Sequence, residues 1–159
     1  MGHRPIPKAV FRGANKVTLD SKGRMVMPTR YRERLGERCQ GRLVVTVDRD
    51  QCLLIYPLPD WEEIERKLMR LPTLNEQARR LQRLMVGHAS DVEIDGHGRV
   101  LLPPKLREFA QLDRNAILIG QGARFELWDE QRWDERRDQW LKAEDSGELL
   151  PPELGSLSL

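Results

Sequence analysis

One motif occurs twice in this chain, and that repetition limits the folds open to it. Asp20-Ser21-Lys22-Gly23-Arg24 lies between Val17-Thr18-Leu19 and Met25-Val26-Met27 and is closed by Pro28. Seventy-five positions on, Asp95-Gly96-His97-Gly98-Arg99 lies between Val92-Glu93-Ile94 and Val100-Leu101-Leu102 and is closed by Pro103. Across 17–35 and 92–110, seven of nineteen positions are identical: Val17/Val92, Asp20/Asp95, Gly23/Gly98, Arg24/Arg99, Pro28/Pro103, Arg32/Arg107 and Glu33/Glu108. At an offset of 72, Val44-Val45-Thr46-Val47 falls on Ala116-Ile117-Leu118-Ile119, Leu53-Leu54-Ile55-Tyr56 on Phe125-Glu126-Leu127-Trp128, and Trp61 on Trp133. The change of offset puts three extra residues of the first copy within 36–42. The chain thus reads as two repeats, 11–87 and 88–143, after a disordered extension over 1–10 and before a flexible tail over 144–159.

Each half alone is too short to bury a sufficient core, so the two halves are expected to share one. The unit reads as hairpin, short helix, hairpin and helical return. In the first copy, strands are expected at 16–19 and 25–27, with Gly23 free to take a positive φ in the turn and Asp20 bonding the turn's amides. Thr29 is the expected N-cap of a helix over 30–38, and strands follow at 43–47 and 53–56. Asp60 with Glu63 forms a capping-box pattern before a helix carrying Trp61, Ile64, Leu68 and Leu71 on one face. A further helix is expected over 75–86. The second copy predicts a hairpin, a helix over 104–110, strands at 116–120 and 124–128, and a last helix with Trp133, Trp140 and Leu141. Four short strands per unit leave edges that must be covered, and interleaving two copies about an approximate two-fold axis covers them. The expected fold class is α+β: a duplicated β-barrel of swapped hairpins with peripheral helices.

Charge is unevenly divided. Between 11 and 42, nine basic residues face three acidic ones, a net of +6; the equivalent stretch 92–117 has four of each; and 129–149 carries −4. Such asymmetry between related halves points to an anionic partner at the first half. A basic solvated surface is the ordinary explanation of a charge run, and the matched copy that lacks the charge weakens it. Cys39 and Cys52 stand thirteen apart with no ligand-spaced His, and read as reduced packing cysteines of a cytosolic protein. No apolar run approaches membrane-spanning length, and 1–7 lacks the apolar centre of a signal peptide.

The paired Asp-x-x-Gly-Arg hairpins resemble the swapped-hairpin AbrB/SpoVT group of bacterial DNA-binding proteins. More narrowly, Phe11-Arg12-Gly13, the run 19–24, Pro28-Thr29-Arg30-Tyr31-Arg32, Tyr56-Pro57-Leu58-Pro59, Gly87-His88-Ala89 and Phe125-Glu126-Leu127-Trp128-Asp129 resemble the MraZ family over about 11–141. The resemblance implies a transcriptional regulator, nucleoid-associated, of the division and cell-wall gene cluster. It implies a ring-shaped homo-oligomer, an octamer or a dodecamer, binding tandem DNA repeats upstream of its own gene. The sequence departs from the family in the extension before Phe11, and in His97 where the first copy has Lys22.

Arg24 is the first candidate for contact with double-stranded DNA. A two-stranded ribbon fits the major groove, and an arginine at its tip can bond guanine O6 and N7 together. The competing reading is that Arg24 only staples the hairpin through Asp20; for Arg99 beside Asp95, that structural reading ranks first. Lys22 joins Arg24 as a base or phosphate contact. Lys16, Arg12, Arg30 and Arg34 are candidates for phosphate contacts, which supply affinity but little sequence reading, and each is as readily an idle surface charge. Asp20, Gly23, Asp95, Gly98 and Arg99 are assigned to building the turns. Arg79, Arg80 and Arg83 read as a solvated helix face or a subunit contact, and the four tryptophans as core or interface. An enzyme is disfavoured: His88 and His97 lack a partnered nucleophile, no loop has phosphate-cradling spacing, and no cofactor or metal is expected. The remaining alternative is a scaffold of the same fold that binds a protein partner.

Overall fold

The computed structural model describes residues 8–145 and residue 157. The elements run β1 (Phe11–Thr18), β2 (Arg24–Val26), α1 (Thr29–Cys39), β3 (Arg42–Val47), β4 (Leu53–Pro57), α2 (Leu58–Met69) and α3 (Glu76–Met85). They continue with β5 (Ser90–Glu93), β6 (Arg99–Leu101), α4 (Pro104–Phe109), β7 (Asn115–Gly122), β8 (Arg124–Asp129) and α5 (Glu130–Asp145). The architecture is α+β, with antiparallel strands and five helices among the described residues.

The strands form a six-stranded sheet, β1-β7-β8-β4-β3-β5, and a separate ribbon, β2-β6. β1 pairs with β7 over eight residues, from Phe11 opposite Gly122 to Thr18 opposite Asn115. β2 pairs with β6, and β3 with β5. The local hairpins expected at 16–19/25–27 and in the second copy are each reduced to a single bridge, Leu19 to Met25 and Ile94 to Val100. The physical reason is the partner on offer. Pairing with β7 gives β1 a full ladder and buries Phe11 against Phe125, with ring centroids 4.4 Å apart. The expected barrel does not close. The sheet ends at β1 and β5, and among the described residues single bridges join its ends to the ribbon.

The core has two parts. Leu43, Val45, Val47, Leu53 and Ile55 of β3 and β4 face Met25, Met27, Tyr31, Leu35, Val100, Leu102 and Leu106. Val44, Leu54 and Tyr56 point to the other side, where Trp61, Leu68 and Trp128 cover them. Coverage on both faces explains why β3 and β4 read as continuous apolar runs rather than alternating ones. Removing a buried ring such as Phe11 from such a core costs about 3–5 kcal/mol.

Two capping expectations are corrected. Pro28, not Thr29, occupies the N-cap position of α1, its backbone still extended at φ −52° and ψ 136°, with no side-chain cap. Asp60 caps nothing. α2 begins earlier, at Leu58, so Asp60 lies in its first turn, buried and paired with Arg38 at 3.1 and 3.2 Å. The α3 cap is present, Asn75 accepting from the Ala78 amide at 3.1 Å. Of the expected extension, residues 8–10 are held. Lys8 pairs with Glu63 at 2.9 Å, Ala9 packs on the core, and the Val10 carbonyl accepts from Arg34. Residues 1–7 lie outside the described residues, as does the expected tail from 146 onward except residue 157.

Candidate nucleic-acid interface

Both motif turns are built by the same bonds. The Asp20 carboxylate accepts from the Lys22 and Arg24 amides, each at 2.9 Å, and from Arg24 Nε at 2.7 Å. The Asp95 carboxylate accepts from the His97 amide at 2.8 Å, the Arg99 amide at 2.9 Å and Arg99 Nε at 3.1 Å. Gly23 and Gly98 follow at φ +82° and +77°, where a side chain is strained. The Arg24 amide, with the Arg24 guanidinium and the Lys22 amide, holds the Asp20 carboxyl down at about 2. The Arg99 amide, then the His97 amide and the Arg99 guanidinium, lower that of Asp95. Each carboxylate is thereby kept ionised and bonded to its arginine.

Asp20 binds Arg24 through Nε. A guanidinium carries five N–H donors, and its two terminal nitrogens are the ones not used in that bond. Stapling the turn and presenting a fork to a ligand are therefore compatible.

The ribbon brings the two arginines onto one face. Arg24 stands opposite Leu101, and Val26 opposite Arg99. Directly opposed residues, and residues two apart on one strand, share a face. That face is outward: the side chains of Arg24 and Arg99 are 28% and 30% exposed, and Val26 and Leu101 are 48% and 55% exposed. Between them, Met25 and Val100 point inward and are fully buried. Arg99 therefore stands in the same setting as Arg24, which the turn-only reading did not anticipate.

The turns are held by residues from the opposite copy. The Met27 amide donates to the Gly98 carbonyl at 2.8 Å, and the Leu102 amide to the Gly23 carbonyl at 3.0 Å. Arg107 lies against Gly23 and Arg32 against Gly98. Each clamp is aimed by a bond from its Nε to a backbone carbonyl, Arg32 to Met27 at 2.7 Å and Arg107 to Leu102 at 3.1 Å. Sequence reading assigned neither arginine a role, although their place among the seven repeat identities was a usable signal. The cationic Arg107 of the second copy sits at the first turn and Arg32 of the first copy at the second, an exchange of one positive charge for another.

The other candidates divide between the ribbon and the far end of β1. Lys22 is exposed at the tip of the first turn, beside Arg24. Lys16, on β1, pairs with Glu130 of α5 at 3.4 Å. Arg30 bonds the Asn15 side chain and the Arg12 carbonyl and stacks over the Tyr31 ring. Arg34 is bonded to the Val10 carbonyl. Arg12 and Arg34 line a concavity with Lys8, Glu37 and Arg38. Arg12 and Thr18 are six positions apart on β1, about 20 Å along a strand. Arg12, Arg30 and Arg34 thus belong to the far end of β1, not to the ribbon face.

The remaining expectations concern packing. Cys39 and Cys52 are both buried free thiols, and burial pushes the pKa of each up. Trp128, Trp133 and Trp140 cluster with centroids 5.6–5.9 Å apart, and Trp61 is buried against Tyr56. No helix among the described residues is long and apolar enough to cross a membrane.

Comparison with known proteins follows the same division of the chain. The family model described as "MraZ protein, putative antitoxin-like" matches twice, over 10–84 and 85–147. A protein of Thioalkalivibrio sulfidiphilus named transcriptional regulator MraZ is 58% identical over 150 residues, spanning 94% of this chain and all of that protein. Relatives of the same name in Methylococcus capsulatus and Pseudomonas aeruginosa are 56% and 54% identical, each over 151 residues and 94% of this chain, covering 99% and 100% of those proteins. With both halves matched and relatives aligned over nearly its full length, the chain belongs to the MraZ family.

Proposed function

We propose that this protein is a sequence-specific DNA-binding transcriptional regulator acting as a repressor. The observation that carries the reading is the outward ribbon face. It presents Arg24 and Arg99 from matched turns, beside the exposed Lys22, on a two-stranded element of the kind a major groove admits. Arg24 and Arg99 read bases. Lys22 contacts base or phosphate, Lys16 bears on the backbone beside the ribbon, and Arg12, Arg30 and Arg34 bear on it at a distance from the ribbon. Asp20, Gly23, Asp95 and Gly98 shape the turns. The two repeats, 11–87 and 88–143, act as one swapped-hairpin unit.

Each subunit offers a single small face, and one such face binds weakly. Assembly into a ring, an octamer or a dodecamer, multiplies it across tandem DNA repeats upstream of its own gene in the division and cell-wall cluster. Linked weak sites gain avidity without new contacts when their spacing lets them engage together. The setting is cytoplasmic and nucleoid-associated.

A gel shift with the DNA upstream of its own gene tests this. Wild-type protein is expected to bind, with affinity falling steeply as salt rises. Arg24→Ala is expected to abolish the shift while the assembly keeps its mass. Loss of the assembly with Arg24→Ala, or binding indifferent to salt, overturns the reading. The family description "antitoxin-like" favours a second reading, a scaffold that binds a protein partner. Reversing Lys22 and Arg24 to acidic residues is expected to destroy DNA binding and to spare a partner that docks on the acidic 129–149 segment.

A further inference from the structure

The ribbon carries two features that phosphate contacts do not explain. Val26 and Leu101 are large apolar side chains held out in solvent on a face whose other two members are arginines. Burying them was available to the fold: Met25 and Val100, one residue away on each strand, are fully buried. Register fixes the choice, because a shift of one residue would exchange the two faces. The arrangement is also paired. Leu101 stands directly across from Arg24, and Val26 directly across from Arg99. Opposed side chains in an antiparallel pair begin about 4.5–5.5 Å apart.

We infer that Val26 and Leu101 are specificity-determining residues that read the C5-methyl groups of thymines, each next to a base bonded by the arginine opposite. The inference rests on the DNA-binding reading and deepens it. In the major groove a thymine presents an oxygen and a methyl group, and an alkyl side chain is the natural partner of that methyl. A guanine presents two acceptors that suit a guanidinium fork. One ribbon face therefore offers two matched pairs, a guanidinium with an alkyl group, related by the approximate symmetry of the turns. Access beside Val26 is open. A shallow groove of about 550 Å³, lined by Asn15, Lys16, Thr18, Val26 and Pro28, runs from the ribbon toward β1.

The test uses the full-length assembled protein and the duplex from upstream of its own gene. Thymines are replaced singly by deoxyuridine, which removes only the methyl group. Wild-type affinity is expected to fall about three- to fivefold at particular positions, the scale of one methyl-sized group losing its apolar contact. Val26→Ala is expected to abolish that sensitivity at one set of positions and Leu101→Ala at another. Val26→Thr, which keeps one methyl, is expected to retain part of it. Wild-type binding indifferent to every uracil substitution overturns the inference while leaving DNA binding intact. So does sensitivity that persists in both alanine variants. A changed assembly mass in either variant shows that the face joins protein subunits, and also overturns it. If the wild-type protein does not bind the duplex at all, the DNA-binding reading itself fails.

Discussion

The guanidinium of Arg107 lies over Gly23, in the space that a side chain on Gly23 would occupy. Arg32 stands over Gly98 in the same way, so each turn is closed by a residue from the other half of the chain. The glycines are required twice over, for a left-handed backbone and for the clamp. Gly23→Ala is expected to destabilise the protein by about 1–3 kcal/mol, combining left-handed strain with displacement of Arg107. DNA binding should fall further than stability. Thermal unfolding beside a binding titration checks both, and an unchanged melting temperature would show that the clamp yields freely.

Arg24 and Arg99 share one face, one bonding pattern and nearly equal exposure. Alanine at either is expected to weaken each subunit's contact with specific DNA by about 1–3 kcal/mol, the discrimination carried by one good bidentate contact, a loss repeated in every subunit of the assembly. Lysine should not restore it, because an ammonium cannot present a planar fork. Fluorescence anisotropy with specific and scrambled duplexes separates loss of reading from loss of charge. A silent Arg99→Ala would return Arg99 to a purely structural role.

The Asp20 carboxyl sits at about 2 in the folded protein, chiefly because of the Arg24 amide. An unfolded aspartate titrates near ~3.9. A folded value below the unfolded one means that the bond contributes above pH ~4 and is lost as pH falls from there toward 2. The turn should therefore be insensitive to pH through the neutral range. Carbon NMR of the Asp20 carboxyl should show a midpoint near 2. Arg24→Ala should raise that midpoint only part of the way to the ordinary value, because the amide remains. A midpoint of ~4 in the wild type would contradict the described turn.

Arg38 and Asp60 form a buried pair at 3.1 and 3.2 Å, with side chains only 11% and 6% exposed. Removing one partner leaves a charge away from water, so Asp60→Ala is expected to cost about 3–5 kcal/mol. Replacing both by apolar residues of similar volume should cost less. Denaturant unfolding of the single and double variants decides. Equal losses in both would show that the pair matters through packing alone.

Legibility differed sharply between levels. The turns could be read because everything they need is local. Asp20, Gly23 and Arg24 lie within five positions, and the carboxylate bonds amides two and four residues on. Most strands and helices were legible within about two residues for the same reason, their periodicity being a property of neighbours; β1 is the exception, starting at Phe11 rather than 16 because its ladder lies with the distant β7. The capping box at Asp60 misled because a buried cation from α1 competes for that carboxylate, and a local pattern cannot reveal it.

By itself, then, the sequence determined the two turns, their repetition, the alternation of strand and helix, and the presence of cationic candidates. Only the tertiary structure decided which candidates act together. It placed Arg12, Arg30 and Arg34 at one end of β1, joined Arg24 to Arg99 across the ribbon, and set Arg32 and Arg107 on each other's turns. The physical reason is strand exchange. β1 and β2 find their ladders in β7 and β6, so residues more than seventy positions apart become neighbours, and no pattern among sequence neighbours reveals that.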